Sequence, residues 1–546
     1  MDRSRRRLSG LVLHAVPTLF ALSLFPAFGA AQALGPVRWS ESPSLPPAYY
    51  ERLQEYPGFS RVERGWVHRT QQEILRGSPL SGNLPVVLVQ GLFADSPEPH
   101  VTQQDLQESL FDGPSPYGTL TEYYDEVSGG RLSVTGTSLP WVRTSLTMAE
   151  TVGDSYGLGS GSRTGEYLFE IMAAVDEGFD FGAFDNDGPD GIPNSGDDDG
   201  FVDAVAFQFL EVSASCGGPA IWPHRWVLRG WNDGEPFVTD DPKQGGGFIN
   251  VDDYTIQSAV DCGGMEVQKA TTIAHELGHV LGLPDLYDSS QGIEPENRRW
   301  VVGCWDLMAA GAWGCGTSNR EDWFRPTHMG AWDKIKLGWV GGLEDVPPVL
   351  GQEFVLDPVQ EGEQVLRIPL EPGLPGGEGE HLLIEYRTQE GFDQDLPASG
   401  VLVYHVDPKI SGNRPCDTCP QNYSVELLEA DGDNTLRLNF GQGGNRGEAG
   451  DAWGTFGPGK LSSSTYPSTR LTSGAESPVT IYEITLSDGV ARILLSSTAV
   501  PRSRLGQAFL GGGGQGVTPE EVAYLDGKGN QNGQYDVGDL RAYLKR

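Results

Sequence analysis

The segment from His275 to Asp285 constrains this chain more than any other, because it sets the spacing of three potential zinc ligands. It reads His-Glu-Leu-Gly-His-Val-Leu-Gly-Leu-Pro-Asp. Residues four apart on an α-helix share one face, so His275 and His279 can direct imidazole nitrogens at an ion about 2.0–2.1 Å away. Gly282 can take the positive φ that ends a helix and reverses the chain, which would bring Asp285 back as a third ligand. One position on the ion would remain for water.

The helical context of this motif agrees with that prediction. An apolar stripe of roughly helical period runs through the segment and into the glycine stop, and it comprises Val267, Ile273, Ala274, Leu277, Val280 and Leu281. The alternative is an ordinary amphipathic helix whose histidines are packed and hydrogen-bonded. The additional glycine and aspartate at these offsets favour a catalytic zinc site over that alternative.

The residue types in the motif predict peptide hydrolysis. A zinc ion lowers the pKa of its bound water toward about 7 and polarises the substrate carbonyl. Glu276, beside the first histidine, would act as the general base and pass the proton to the departing amine. Tyr287 and His224 are candidate donors to the developing oxyanion by residue type. The alternative for both is a packed side chain with a satisfied polar tip.

Length and the amino terminus indicate an exported, multidomain protein. The chain of 546 residues is too long for one core. Arginines near the start, an apolar run over residues 11–28 and Ala31-Gln32-Ala33 have the three parts of a secretory signal peptide. We predict a bacterial signal peptide over 1–33, secretion to the cell exterior or surface, and a propeptide or N-terminal arm over 34–81. Later apolar runs are too short to predict a membrane span.

Charge and cysteine content narrow the partners and the compartment. The net charge is −37, from 75 acidic and 38 basic residues, which argues against nucleic acid and for cation binding. Six cysteines in an exported chain suggest disulfides. The plausible pairs are Cys216 with Cys262, Cys304 with Cys315, and Cys416 with Cys419. A second metal site at the last pair is the alternative.

The pattern of elements predicts an α+β zincin-type catalytic domain over 82–345, a β-sandwich domain over 346–500 and a small helical calcium-loop tail. A buried strand at 83–89, helices near 103–110 and 119–127, and a strand near 132–135 mix both types before the helix that carries His275 and His279. Strands with glycine-rich turns follow from about residue 349. A Gly-rich linker over 501–517 precedes the tail at 518–546.

Two acidic segments are candidate calcium sites. Seven aspartates lie within residues 185–203, and alternating acidic side chains closed by glycine resemble calcium loops. The tentative ligands there are Asp185, Asp187, Asp197, Asp199 and Asp203. In the tail, Asn530, Asn532, Asp536 and Asp539 fit an EF-hand-like loop, although Lys528 stands where its first aspartate belongs. A solvated acidic loop is the alternative at 185–203.

Met308 follows the zinc helix in Trp305-Asp306-Leu307-Met308, flanked by glycines at 303 and 311. Metzincin peptidases carry a methionine turn beneath the metal, and we assign that place to Met308. An ordinary core methionine is the alternative.

Together these residues resemble the immune inhibitor A family of secreted bacterial metalloendopeptidases, which are metzincin-like. The resemblance is carried by residues 275–288, extended by the motifs at 221–224, 305–308, 326–332 and 337–339. It implies zinc on His275, His279 and Asp285, Glu276 as base, and calcium near 185–203. The segments 429–432 and 447–451 resemble the downstream β domain of that family. The tail resembles half of a dockerin module.

The leading hypothesis is a secreted zinc endopeptidase that cleaves extracellular proteins or peptides. The alternative is a calcium-dependent surface or scaffold-binding protein with a non-catalytic zinc site, in which the tail meets a scaffold or cell-surface partner. Structural zinc usually has four protein ligands, and this motif offers three. Exopeptidase activity is a third hypothesis.

Overall fold

A computed structural model describes most of the chain after residue 64. The described residues are 65–158, 161–288, 290, 297–316, 324–362, 364–371, 379–410, 413, 422–455, 460–498, 505–506, 517, 521–522, 525–526 and 529–544. The predicted signal peptide, the arm up to residue 64, the Cys416–Cys419 pair and most of the linker lie outside them.

The described elements are mixed α and β, as the sequence predicts. The helices are α1 Gly65–Arg76, α2 Gln103–Gln107, α3 Leu120–Val127, α4 Met148–Val152, α5 Thr164–Val175, α6 Ala270–Val280, α7 Ala331–Leu337, α8 Val359–Gly362 and α9 Val537–Leu544. The strands are β1 Gly82–Leu92, β2 Leu132–Ser138, β3 Val142–Arg143, β4 Ala204–Phe209, β5 His224–Val227, β6 Phe237–Pro242, β7 Phe248–Val251, β8 Asp253–Ser258, β9 Gly342–Asp345, β10 Gln352–Leu356, β11 Gln364–Pro369, β12 His381–Arg387, β13 Gly400–Val406, β14 Val425–Leu427, β15 Leu461–Ser462, β16 Thr480–Ser487 and β17 Val490–Ser496.

The first sheet has the order β2-β1-β4-β8-β5, with β3 also paired to β1. Its strands are parallel except β5, which runs antiparallel to β8 at the end of the order. Nine consecutive residues of β1, from Leu84 to Leu92, are buried, because helices cover both faces of this sheet. Helix α6, called the zinc helix below because the sequence predicts zinc ligands on it, packs on one face, and α5 packs on the other.

Helix α1 belongs to this fold, although the predicted arm extends to residue 81. Trp66 is 1% exposed and lies in the core that includes α6. Arg69 donates to the carbonyl oxygens of Asn186, Asp187 and Gly188 at 3.4, 3.5 and 3.2 Å. A cleavage that removes the predicted arm but keeps these contacts would have to occur before Gly65.

Two mostly antiparallel sheets follow, with the strand orders β14-β13-β12-β11-β9 and β10-β17-β16-β15. Side chains from both line one shared core, including Ile384, Val403 and Ile493. The other face of the five-stranded sheet, with Leu383 and Leu402, packs into the core of the zinc helix. Strand β9 comes from before the predicted boundary at residue 345, and it pairs with β11. The sheet therefore contacts both cores.

The described part of the tail packs against the second of these sheets. Leu525, Tyr535 and Tyr543 form a small apolar cluster that partly buried Leu350 and Tyr482 contact. Two predicted disulfides are confirmed, Cys216–Cys262 and Cys304–Cys315. Among the described residues, no helix combines the length and apolar character that crossing a membrane requires.

Candidate active site

Helix α6 ends as its sequence predicts, at a glycine with positive φ. Gly282 has φ +95°, and the amide of Leu283 donates to the carbonyl oxygen of Gly278 at 3.1 Å. This closure satisfies a carbonyl that a helix end leaves free, and it turns the chain back. The reversal brings Asp285 to the face of α6 that carries the two histidines.

His275, His279 and Asp285, called the zinc trio below, converge on one point. Asp285 Oδ1 lies 3.2 Å from His275 Nε2 and 3.4 Å from His279 Nε2. Ligands 2.0–2.1 Å from a tetrahedral ion stand about 3.3–3.4 Å apart, so these separations fit one zinc ion. Each residue of the trio offers one ligand atom within 4.8 Å of the others. The donor set therefore suits zinc.

Backbone carbonyls fix the orientation of both imidazoles. His275 Nδ1 lies 2.9 Å from the carbonyl oxygen of Leu307, and His279 Nδ1 lies 2.8 Å from that of Leu283. Because a carbonyl oxygen accepts only, Nδ1 must carry the hydrogen in both rings. The lone pair on each Nε2 then faces the trio, which is how metal-binding histidines are usually held.

The electrostatics of the trio agree with a cation in its centre. Desolvation opposes the charged form of His279, but Asp285 and Glu276 raise its pKa to about 9. Desolvation likewise opposes ionisation of Asp285, yet the imidazoles hold the pKa of this carboxyl far below its usual range. Burial raises the pKa of Glu276, which is 5% exposed, while both imidazoles and Arg225 lower it. Glu276 is therefore a buried carboxyl group beside the trio, with a raised pKa.

Met308 lies directly beneath α6. It is fully buried, and a Cβ added to Gly278 would lie 2.4 Å from its sulfur. Asp306 shapes the turn, because its side chain accepts a 2.7 Å hydrogen bond from the amide of Met308. The same turn supplies the Leu307 carbonyl to His275. The predicted methionine turn thus contacts the zinc helix at a position where only glycine leaves room.

An aromatic group lines one side of the trio, and the sequence pattern did not reveal most of it. The His275 ring centroid lies 4.9 Å from that of Trp313 and 6.4 Å from that of Tyr287. Buried Arg298 sits over Tyr287, Trp300 and Trp313, 4.7 to 5.5 Å from the ring centroids. Thirteen tryptophans were a compositional signal for such a group, but not for its location.

The two candidate oxyanion donors differ in their surroundings. Tyr287 stacks beside His275, as described above. His224 is buried at the start of β5, where its ring nitrogens contact the Trp222 carbonyl oxygen at 2.7 Å and the Tyr254 hydroxyl at 3.1 Å. Both ring nitrogens of His224 are therefore engaged by other groups of the protein. Tyr287 is the stronger candidate for the oxyanion donor.

The acidic segment 185–203 brings together three of its five predicted ligands. Asp185, Asp187 and Asp203 each offer an oxygen within 4.8 Å of the others. Desolvation and neighbouring aspartates raise the pKa of Asp185 to about 8 and that of Asp187 to about 6. Asp199 contributes to both shifts, whereas the carboxylate of Asp197 is occupied by Ser195 and the amide of Asp190. Asp185 Oδ1 and Asp203 Oδ1 are buried without a hydrogen-bond partner.

The predicted tail ligands also lie close together. The side-chain amides of Asn530 and Asn532 both donate to Asp536 Oδ2 at 2.8 Å, and Asp539 accepts from the amide of Asn530 at 3.2 Å. Asp526 accepts from the amides of Asn532 and Gly533 across the loop at 2.7 and 2.8 Å. The loop is compact, and calcium in it stays a prediction.

Comparison with known proteins supports a metalloprotease. Residues 102–340 match the family model for the catalytic domain of immune inhibitor A peptidase M6. The chain is 30% identical over 257 residues to immune inhibitor A of Bacillus thuringiensis subsp. alesti, covering 42% of this chain and 34% of that protein. It is 28% identical over 226 residues to the pre-pro-metalloprotease PrtV of Vibrio cholerae serotype O1 (strain M66-2), covering 40% of this chain and 23% of that protein. The matched region thus spans about a third or less of these relatives.

Proposed function

We propose that this protein is a secreted zinc endopeptidase that hydrolyses peptide bonds of extracellular proteins, with Glu276 as general base. The convergence of His275, His279 and Asp285 beside buried Glu276 carries the proposal. The match of residues 102–340 to a peptidase catalytic domain supports it independently.

Two neutral imidazoles and one carboxylate are a common donor set of catalytic zinc sites. Zinc held there would lower the pKa of a water molecule and polarise the scissile carbonyl. Glu276 would take the proton from the attacking water and transfer it to the leaving amine. Its burial suits both roles, because a raised pKa brings a carboxyl closer to working pH. The Tyr287 hydroxyl would donate to the developing oxyanion.

The sheet offers a way to hold an extended substrate. Strand β5 is last in the sheet order and pairs with β8 on one side. In the described part of the chain, its other edge pairs with no named strand, so its backbone could bind a peptide as an added strand. Arg225 on β5 is close enough to Glu276 to affect its pKa. A polypeptide bound along β5 would pass near the base, which favours endopeptidase over exopeptidase activity.

Calcium would stabilise the acidic segment 185–203. Uncompensated buried carboxylates are unfavourable, and a hard cation with oxygen ligands neutralises them. Asp185, Asp187 and Asp203 are the proposed ligands. Two disulfides and the predicted signal peptide support an extracellular location, where calcium is abundant and cysteines are oxidised.

The test is hydrolysis of unfolded casein by the purified secreted protein and by Glu276→Gln, with zinc content measured in both. We expect Glu276→Gln to keep its zinc and lose roughly 10²–10⁴ in rate. Glu266→Gln is the matched control, because Glu266 lies near the same helix with its side chain 69% exposed, and this variant should cleave at the native rate.

Unchanged cleavage by Glu276→Gln would remove Glu276 from the mechanism. If neither protein cleaves although both hold zinc and the N-terminal arm is gone, the chain is better described as a calcium-dependent surface or scaffold-binding protein.

A further inference from the structure

A second group of carboxylates, two of them buried and one exposed, lies in the downstream region. Glu429, Asp431 and Asp451, called the downstream acidic cluster below, each offer an oxygen within 4.8 Å of the others. Backbone pairing fixes this arrangement, since the amides of Ala430 and Asp431 donate to the carbonyls of Asp451 and Gly450 at 3.0 and 3.1 Å. The cluster is therefore part of the fold rather than an accidental approach of long side chains.

Asp451 has a buried oxygen that the protein leaves unpaired. Its side chain is fully buried, and Oδ2 accepts from Trp305 Nε1 at 2.8 Å and from the amide of Glu448 at 2.9 Å. Oδ1 is buried and has no hydrogen-bond partner. An unsatisfied buried carboxylate oxygen is costly, and Oδ1 is the Asp451 oxygen that no hydrogen bond occupies.

The donors around Glu429 are neutral groups. This side chain is 3% exposed and accepts from the amide of Leu436 and the hydroxyl of Thr435. Desolvation and the nearby charge of Asp451 raise the pKa of Glu429 to about 9, and burial raises that of Asp451 to about 7. The raised pKa values mean that those donors do not offset the cost of ionising the two carboxyl groups.

The surrounding chain leaves space for Asp431 and adds further acidic groups. A Cβ on Gly450 would lie 1.9 Å from Asp431 Oδ2, so the carboxylate occupies the place of a side chain. Asp431, Asp433 and Glu448 form a second, more exposed set, in which each residue offers an oxygen within 4.8 Å of the others. Calcium prefers oxygen ligands and binds six to eight of them, and these carboxylates are oxygen donors.

We propose that Glu429, Asp431 and Asp451 form a calcium site distinct from the segment 185–203. Its position links the downstream region to the zinc helix. Trp305 lies two residues before Leu307, whose carbonyl orients His275. The segment 301–308 also pairs with the downstream loops through its backbone. The amides of Cys304 and Val301 donate to the carbonyls of Arg446 and Leu436 at 2.6 and 2.9 Å. Calcium here would fasten these loops to the segment that carries the Met308 turn.

The test measures calcium bound per full-length chain by equilibrium dialysis, in buffer stripped of calcium and held at fixed zinc. We expect Asp451→Asn and Asp431→Asn each to lose one bound calcium, or to bind it at least tenfold more weakly. Asp431 is exposed, so its variant should fold even if Asp451→Asn does not. Asp488→Asn removes the same charge from a turn with φ +54°, which asparagine also tolerates, and should bind like the native chain.

Thermal unfolding separates a cation site from a purely structural role. The amide that replaces the Asp451 carboxylate would keep an acceptor for Trp305 and place a donor toward Glu429. The Asp451→Asn variant should therefore melt at or above the native temperature without calcium and below it with calcium. If Asp431→Asn and Asp451→Asn bind calcium with native stoichiometry and affinity, the proposal is wrong. It is also wrong if Asp451→Asn folds and lowers the melting temperature equally with and without calcium.

Discussion

His224 shows how a buried histidine can serve the fold rather than the chemistry. Trp231 Nε1 donates to the Tyr254 hydroxyl at 2.9 Å, and that hydroxyl lies 3.1 Å from His224 Nε2. Because Nδ1 must donate to the Trp222 carbonyl oxygen, the neutral ring accepts from Tyr254 through Nε2. Protonation at Nε2 would break this chain of hydrogen bonds.

This arrangement predicts a pH-dependent stability. Burial lowers the pKa of His224 to about 4, below its unfolded value of about 6.5. The stability contributed by neutral His224 is therefore fully present above pH 6.5 and is lost as the pH falls toward 4. By pH 4 the loss should reach about 3 kcal/mol in the free energy of unfolding.

Urea denaturation between pH 7 and pH 4 measures this effect, with His224→Gln as the variant and the exposed His68→Gln as control. His224→Gln should be less stable at pH 7 but should lose less stability on acidification than the native chain. Parallel pH profiles for the native chain and His224→Gln would show that His224 does not titrate in this way.

At the level of elements, α6 packs closely on the Met308 turn at Gly278, which has no side chain to separate them. A methyl group at residue 278 would contact the Met308 sulfur at 2.4 Å, so either the methionine or the helix must move. Overpacking lowers the free energy of unfolding by about 1–3 kcal/mol, and the higher helix propensity of alanine offsets up to about 1 kcal/mol of that loss. We expect Gly278→Ala to lower the free energy of unfolding by about 1–2 kcal/mol and to weaken zinc binding, because the turn also positions His275.

Urea denaturation and zinc titration of Gly278→Ala measure both effects. Combining it with Met308→Ala should give a non-additive result, since the second change removes the contact. Gly161→Ala is a suitable control, because a methyl there meets nothing within 4 Å. If Gly278→Ala matches this control in stability and zinc affinity, the contact does not position the helix.

The zinc helix was predictable because its information is local. The i, i+4 histidines, the apolar stripe and Gly282 lie within one segment, and helix period and glycine geometry determine their outcome. The Leu307 carbonyl, Trp313 and Arg298 come from a later segment, and no spacing rule places them beside His275. Helix α1 gave no sequence signal of its packing either, since Trp66 acquires its role only from tertiary contacts.

On the scale of the whole molecule, the five-stranded sheet joins two cores that the sequence suggested were separate domains. Alternate residues of a strand face opposite sides of a sheet. Accordingly, Ile384 and Val403 pack with the second sheet, while Leu383 and Tyr404 pack with the zinc helix core. Sequence shows the alternation but not that both faces are covered.

Buried charges reinforce this connection. Arg387 of β12 is fully buried, where it pairs with Asp393 at 2.6 Å and donates to the carbonyl oxygen of Trp305 at 3.0 Å. The amide of His328 donates to the same aspartate at 3.0 Å. Removing the sheet would leave the Trp305 carbonyl oxygen, the His328 amide and the apolar face of the zinc helix core without these partners. Such losses are large beside the stability of a typical domain, about 5–15 kcal/mol.

A fragment that ends at residue 345 should therefore fail to fold, although it contains the whole region that matches a peptidase catalytic domain. We expect it to be insoluble, or to lack cooperative thermal unfolding and near-ultraviolet circular dichroism. The matched control removes 501–546, whose described apolar side chains form a small cluster with Leu350 and Tyr482, and it should keep zinc and casein hydrolysis. A soluble fragment ending at residue 345 that unfolds cooperatively and cleaves casein would show that the zinc helix core is complete without the sheet. Failure of the fragment, with activity kept by the control, would mean that the downstream sheet is a structural part of the proposed catalytic unit.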